Sequence, residues 1–422
     1  MTWTMWAALI VVVGTVWGLV KKYETRLVLL VSGLIMTILS LDPMAAFQQF
    51  DKSMTNNSLI IVICSSMGFA AVMNLTKCDL HLVSLLTKPL NKLGLLLLPC
   101  CMIVTGITSL AISSLSGMCA AIGPTIVALM VRAGFRPAMA AATVIASTLP
   151  SFWSPGSSHN IFVAKLAEWD VMQFVTYTGL RTTMISIFCI VCLTVVCFIY
   201  GDFKKGGFAS EGGVNHSDVE LPEHPNPLWA LAPLLPVIIL FVIAFWFPSI
   251  KISVATAMLF GFIYTIIVTR ANPAELLKKF FDGMGRGYGN VLGLIIAAGV
   301  FAAGLRTCGV IDVFVEYLKH SSEVAKLGAA IGPMVLGIMT GSGDAAGFAF
   351  NEAVTPHAAE FGMTIPDLGY IAIVSATLGR VSSPIAAGVI IIAGIANVSP
   401  LEVIKRSLPV NIAVMVFLYI IS

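Results

Sequence analysis

"GIMTGSGDAAGFAF", Gly337 to Phe350, sets a carboxylate, Asp344, and a run of glycine, serine and threonine between two strongly apolar segments. In hydrocarbon every unpaired backbone group is costly, so an interruption of this kind persists only where protein or a water-filled cavity satisfies it. Gly341 and Gly343 let the chain reverse, while Thr340, Ser342 and Asp344 offer oxygens and can cap the outgoing helix. Such a tip brings the positive end of a helix and several oxygen ligands to one point, where a carboxylate or a small cation can be held. Small residues also permit simple close packing of helices. One motif leaves both readings open, and the rest of the chain decides between them.

Of the 422 residues, 58% are hydrophobic and 11% charged, which marks a polytopic membrane protein. Apolar runs of bilayer-spanning length recur at 5–20, 27–41, 57–75, 183–200, 229–247, 252–269, 290–305 and 408–421. They do not alternate as barrel strands would, so the expectation is all-α. The first run, beginning MTWTMW, reads as a retained span and not a signal peptide. A net charge of +3 gives no reason to expect a nucleic-acid partner, and the nine cysteines, all in or beside apolar runs, read as small core residues.

Slid against itself, the chain matches at a shift of about 230 residues. "DPMAAFQQFDKSM" (42–54) falls on "NPAELLKKFFDGM" (272–284), "SLSG" (114–117) on "TGSG" (340–343), and "TLPSFWSP" (148–155) on "TLGRVSSP" (377–384). The order is kept, so one unit is present twice, and each copy has three spans, a re-entrant hairpin, a broken helix and a final span. The first copy, 1–200, is expected to have scaffold spans in 1–76, a hairpin at about 96–133, a broken helix at about 137–167 and a last span at 183–200. The second, 228–422, has scaffold spans in 228–305, a hairpin at about 329–358, a broken helix at about 366–396 and a last span at 408–421. Five crossings per copy would invert the second relative to the first, about ten in all. Basic residues such as Lys21, Lys22, Arg132, Arg136, Arg270, Lys279, Arg286, Lys405 and Arg406 then gather on one face, which the positive-inside rule makes cytoplasmic. Both termini are expected to be periplasmic and the 201–227 link cytoplasmic.

Four interruptions therefore lie at repeat-related places. The tips carry Ser113, Ser114, Ser116 and Gly117 in one copy and Thr340, Gly341, Ser342, Gly343 and Asp344 in the other. The broken helices carry Ser154, Pro155, Gly156, Ser157, His159 and Asn160, and Thr377, Arg380, Ser382, Ser383 and Pro384. A buried arginine costs about 2.5–3.5 kcal/mol even on lenient insertion scales, so Arg380 should meet a partner or a cavity, and its fork suits a carboxylate. A structural ion pair with Asp344 or Glu352 is the equal alternative. Ser151 stands at the corresponding place in the first copy. Glu352 either carries a proton or completes a network without a transport role. His159 reads more readily as a packed, hydrogen-bonded residue than as a ligand, though it can titrate near neutral pH. Trp153 reads as packing. Asp170 and Ser399 are placed to cap interfacial helices preceding each last span, and 79–94 and 311–328 read as interfacial too.

"AAGVFAAGL" (297–305), "TGSGDAAGFAFNE" (340–352), "LGRVSSPIAAGVIIIAGIANVSPLEVIKRSLPV" (378–410) and "SLAISSLSG" (109–117) resemble the anaerobic four-carbon dicarboxylate transporters of the DcuC type, within the wider ion-transporter superfamily. The resemblance implies a secondary carrier of succinate, fumarate or malate in the bacterial inner membrane. It further implies a homodimer whose transport domain, built of hairpins and broken helices, moves against a scaffold in the manner of an elevator. The substrate-binding set is then Ser114, Ser116, Gly117, Ser154, Pro155, Gly156, Thr340, Gly341, Ser342, Gly343, Asp344, Arg380, Ser383 and Pro384. The ion-coupling set is Ser113, Ser157, His159, Asn160, Asp344, Glu352, Thr377 and Ser382, with sodium ions or protons as coupling ions and no other cofactor or metal. Transport of another small organic anion, an aqueous channel and an intramembrane hydrolase are the alternatives, the last without a nucleophile elbow, metal-ligand histidine pair or paired-aspartate motif to support it.

Overall fold

A computed structural model describes residues 3–21, 23–87, 96–112, 114–204, 222, 224–247, 250, 252–311, 313 and 322–422. Apart from one isolated bridge between Phe135 and Phe203, regular structure among them is helical. Four helical stretches are by themselves long and apolar enough to cross a membrane: Leu59–Thr76, Val171–Tyr200, Pro273–Thr307 and Pro400–Ile421. Shorter apolar helices, such as Trp3–Leu19, Thr25–Leu39 and Val254–Thr269, pack beside them. This is the architecture of a multi-pass membrane protein.

In the first copy, Thr25–Leu39 is followed by the short Met44–Met54 and then by Asn57–Thr76, whose start Asn56 caps through its side-chain oxygen. The corresponding part of the second copy differs. Pro273–Arg286 runs through a π-helical segment, Gly287–Leu292, straight into Gly293–Thr307, so the span expected at 290–305 is the end of one 35-residue helix. The reason is local: Asn56 stops and restarts the helix in one copy, whereas Gly287 and Gly289 let it widen by a residue and continue in the other.

Glycine sets how these helices meet. A methyl group on Gly33 would lie 2.5 Å from the Val300 carbonyl oxygen, so the backbones of Thr25–Leu39 and Gly293–Thr307 touch. The two run parallel, since Arg26 Nη1 donates to the Gly289 carbonyl at one end (2.6 Å) and Cys308 Sγ to the Met36 carbonyl at the other (3.2 Å). Asn57–Thr76 runs the opposite way along Pro273–Thr307, with Gly68 against Phe280 and Gly287 against Ile63 and Met67. The reciprocal contact also exists, Met44–Met54 packing on Gly293–Thr307 with Gln49 and Ser53 against Gly299.

The centre of the molecule is built from the broken helices. Pro137–Ala146 is buried along its whole length, and Ile365–Val381 is buried except at Ile365, Asp367 and Arg380. A helix apolar on every side belongs inside protein, and these are enclosed by the hairpins. The arms Leu97–Ala111 and Leu115–Arg132 form one hairpin, and Ser322–Thr340 and Gly343–Ala353 the other. Each outgoing arm crosses to the opposite copy, Leu115–Arg132 onto Ala387–Ile395 and Gly343–Ala353 onto Ser158–Leu166.

Two further sequence expectations change. The separate interfacial helices before the last spans are the opening turns of Val171–Tyr200 and Pro400–Ile421. At 1.5 Å per residue a 30-residue helix is about 45 Å long, longer than the roughly 30 Å hydrocarbon core, so its polar start needs no break. Asp170 and Ser399 do cap these helices, accepting from the N–H groups of Met172 and Leu401. Likewise 322–328 is the first part of the hairpin arm Ser322–Thr340, while 88–94, 312 and 314–321 of the expected interfacial segments lie outside the described residues.

Ion pairs tie each last helix to the other copy. Arg406 grips the fully buried Asp202 with Nε and Nη2 (2.6 and 3.0 Å), and Arg136, just before Pro137–Ala146, joins them at 3.5 Å. On the other copy's broken helix, Asp367 receives Arg181 Nη2 at 2.6 Å and the Tyr177 hydroxyl at 3.0 Å. Last helix and broken helix thus form one connected body in both halves.

Candidate functional site

The two tips are built alike. Ser114 Oγ accepts from the Gly117 N–H (3.3 Å) and starts Leu115–Arg132, and Ser342 Oγ accepts from the Ala345 N–H (3.2 Å) and starts Gly343–Ala353. Gly341 turns the second tip at φ +70°, a left-handed conformation that glycine adopts without strain. In the first break a 3-10 turn, Leu149–Trp153, precedes Ser158–Leu166, and Asn160 Nδ2 braces the unwound stretch through the carbonyls of Phe152 (2.7 Å) and Ser154 (3.0 Å). In the second, Ser382 Oγ donates to the Leu378 carbonyl (2.7 Å) and accepts from Asn411 Nδ2 (2.8 Å).

Tips and breaks enclose one cavity of about 330 Å³. Asp344 stands in it with Oδ1 2.9 Å from His159 Nε2 of the first copy and 3.3 Å from Arg380 Nη1 of the second. Arg380 Nε and the hydroxyls of Thr377 and Ser66 also belong to the lining residues, are buried, and make no hydrogen bond among the described residues. Buried polar atoms are nearly always satisfied, so a group of unpaired ones around a cavity marks a place where a polar ligand completes them. The donors are one guanidinium edge, hydroxyls and an imidazole, a set suited to carboxylate oxygens.

Of the residues expected to bind substrate, Ser114, Ser116, Gly156, Gly341, Ser342, Asp344 and Arg380 line the cavity. Gly117, Ser154, Pro155, Thr340, Gly343, Ser383 and Pro384 do not. Thr340 Oγ1 is occupied by the Leu336 carbonyl (2.7 Å), and a methyl on Gly343 would sit 3.0 Å from the Ala376 carbonyl oxygen, so that glycine is a packing requirement. Among the ion-coupling candidates Ser157, His159 and Thr377 line the cavity, Asn160 and Ser382 brace the breaks behind it, and Ser113 lies outside the described residues. Glu352 is elsewhere, 4.0 Å from Arg306 Nη2 and 3.4 Å from Gln49 Nε2, where the hairpin arm Gly343–Ala353 meets Gly293–Thr307 and Met44–Met54. Trp153 packs against Gly179 and donates to Thr183 Oγ1 at 3.2 Å.

Ser66, Ser109, Ser151 and Ser158 also reach the cavity, a role that sequence reasoning does not assign them. Ser66 comes from Asn57–Thr76, with Ile63 one turn before it and Met67 next to it, so this helix supplies part of the wall. The legible signal is "CSSM" (64–67), a polar pair in the middle of an apolar span.

Residues 37–422 match the model of the C4-dicarboxylate anaerobic carrier family, DcuC. The chain belongs to that family. It is 41% identical over 274 residues to a Haemophilus influenzae protein, covering 63% of this chain and 98% of that one. Against the anaerobic C4-dicarboxylate transporter DcuC of Escherichia coli K12 it is 27% identical over 451 aligned positions, 96% of this chain and 94% of the relative. The fold resembles the crystal structure of the Alcanivorax borkumensis YdaH transporter, described as having an unusual topology, with a TM-score of 0.63, 13% identity, and coverage of 89% and 86% of the two chains. A DcuC-family chain is a transporter and not an enzyme, which removes the intramembrane-hydrolase reading.

Proposed function

We propose that this DcuC-family protein is a secondary active carrier of four-carbon dicarboxylates, succinate, fumarate and malate among them, working by alternating access at the bacterial inner membrane. The observation that carries the reading is the convergence of both tips and both breaks on one cavity in which Arg380 keeps an unpaired guanidinium edge. A cavity of about 330 Å³ suits a small anion, and hydroxyls from both copies can meet its second carboxylate. Asp344 already opposes Arg380, so a dianion brings net negative charge into a low-dielectric site. Sodium ions or protons bound alongside it would offset that charge, through the cavity hydroxyls or His159.

The two copies are inverted in this reading. Its support is that Asn57–Thr76 and the second-copy segment matching it, the later part of Pro273–Thr307, lie antiparallel to one another. Five crossings per copy put the 201–227 link and the C terminus on opposite faces. An epitope in the link and one after Ser422 should accordingly be reached by impermeant antibody from opposite sides; access to both from one side would overturn the inversion. The ion-paired body of broken helices, hairpins and last helices is the moving part of an elevator, and the first three spans of each copy are the scaffold and the homodimer contact.

Counterflow tests the function. Purified protein in liposomes preloaded with unlabelled succinate should take up labelled succinate in a saturable, transiently concentrating phase that fumarate and malate compete for, with a rate set by sodium or by pH. A pore would show no such trans-stimulation, and absence of counterflow with all three acids would remove the substrate assignment.

A further inference from the structure

A second cavity, of about 410 Å³, opens beside the first. Its walls are Asn57–Thr76 and Pro273–Arg286 of the scaffold and the first hairpin tip, and it shares Met67 and Ser114 with the central cavity, so these two residues stand where the cavities adjoin. Lys279 and Arg286 line it from one face of the same helix, two turns apart, with Asn74 and Asn290 beside them. Neither cation takes part in a hydrogen bond or ion pair among the described residues. Among the described residues the one carboxylate on the wall is Asp79, which accepts from the Leu80 N–H (2.9 Å). Two cations against one carboxylate leave the cavity positive. Burial pushes the Asp79 carboxyl up to about 6, so mild acid removes even the opposing charge.

The repeat-related cavity on the other side of the scaffold is lined by Gln49, Lys52 and Arg306. Gln49 stands at the place of Lys279, and Arg306 is occupied by Glu352 at 4.0 Å. Each side thus sets two cations against one carboxylate; what differs is that Arg306 is held by its carboxylate, whereas Lys279 and Arg286 make no ion pair among the described residues. A low-dielectric cleft lined with one sign of charge concentrates oppositely charged solute at its mouth.

We propose that the Lys279–Arg286 cavity is a capture site for the substrate dianion on the face predicted cytoplasmic, where these two side chains determine access before the anion passes Ser114. The proposal rests on the dicarboxylate reading of the central cavity. Anionic lipid headgroups present the same chemistry to the same cations, and the vesicle composition distinguishes the two sources.

The test is succinate exchange in proteoliposomes of determined orientation, measured separately from each face. At low salt, Lys279→Gln with Arg286→Gln should raise KM about tenfold from the face bearing the cavity, leaving the maximal rate and the opposite KM unchanged, and high salt should erase the difference. Lys279→Arg should keep the wild-type KM, and Asp79→Asn should lower it. An unchanged KM at low salt, or an equal rise from both faces, overturns the proposal. So does an effect seen with phosphatidylglycerol in the vesicles and absent in pure phosphatidylcholine, which assigns the cations to lipid. Wild-type protein that exchanges no succinate from either face would fail the parent reading instead.

Discussion

Arg380→Ala is expected to abolish succinate counterflow, lowering it by more than about a hundredfold, while the protein still elutes as a single folded species. The guanidinium gives Asp344 one contact at 3.3 Å and keeps its Nε edge unpaired beside the cavity. Truncating one partner of a buried charge pair costs about 2–5 kcal/mol, and each 1.4 kcal/mol is about a factor of ten. Part of that cost would come from stranding Asp344, so the double variant Arg380→Ala with Asp344→Asn separates the contributions. Removing the stranded carboxylate should restore stability and leave transport absent. Arg380→Lys keeps the charge and loses the fork; an intermediate rate, about tenfold down, is expected because an ammonium cannot grip a carboxylate with two parallel N–H groups. Undiminished counterflow in Arg380→Ala would sink the assignment of this residue to substrate.

How much of this is legible in the sequence depends on how far each residue's partner lies. The tips and breaks are readable because Gly, Ser and Pro that interrupt an apolar run at membrane depth free backbone groups that only protein or a wet cavity can satisfy. Arg380 with Asp344 is readable as a pair because both are rare there. The contact of His159 is not, since its partner Asp344 comes from the other copy and nothing near His159 in the chain indicates it. Glu352 groups with the site in the sequence because it follows the tip, yet the turn of the outgoing helix aims it at Arg306 and Gln49 instead. The single helix Val171–Tyr200 reads as two because Asp170 and Arg181 suggest an interfacial piece; Arg181 is in fact held by Asp367 across the copies. The π segment at Gly287–Leu292 has no hydrophobic signature, because it changes the width of a helix and not its composition.

Asp344→Asn should separate two activities that Arg380→Ala removes together. In the proposed alternating-access cycle the charge of Asp344 offsets that of Arg380 in the unloaded site, so the unloaded transport body can return across the membrane. Asparagine keeps the shape and leaves Arg380 uncompensated. Net uptake requires that empty return, and carrying one unpaired cation through the membrane costs about 2.5–3.5 kcal/mol even on lenient scales, or roughly a hundredfold in rate. Exchange never empties the site, and a dianion opposite Arg380 restores the missing negative charge. The expectation is therefore exchange within about threefold of wild type, net uptake down roughly a hundredfold, and one fewer coupling cation per dicarboxylate, read as a weaker sodium or pH dependence of the loaded step. Equal loss of both activities would make Asp344 a substrate or folding residue, and loss of neither would show that the charge it contributes is not carried through the cycle. Only the first outcome fits a carboxylate placed at the tip to balance the arginine while the carrier travels empty.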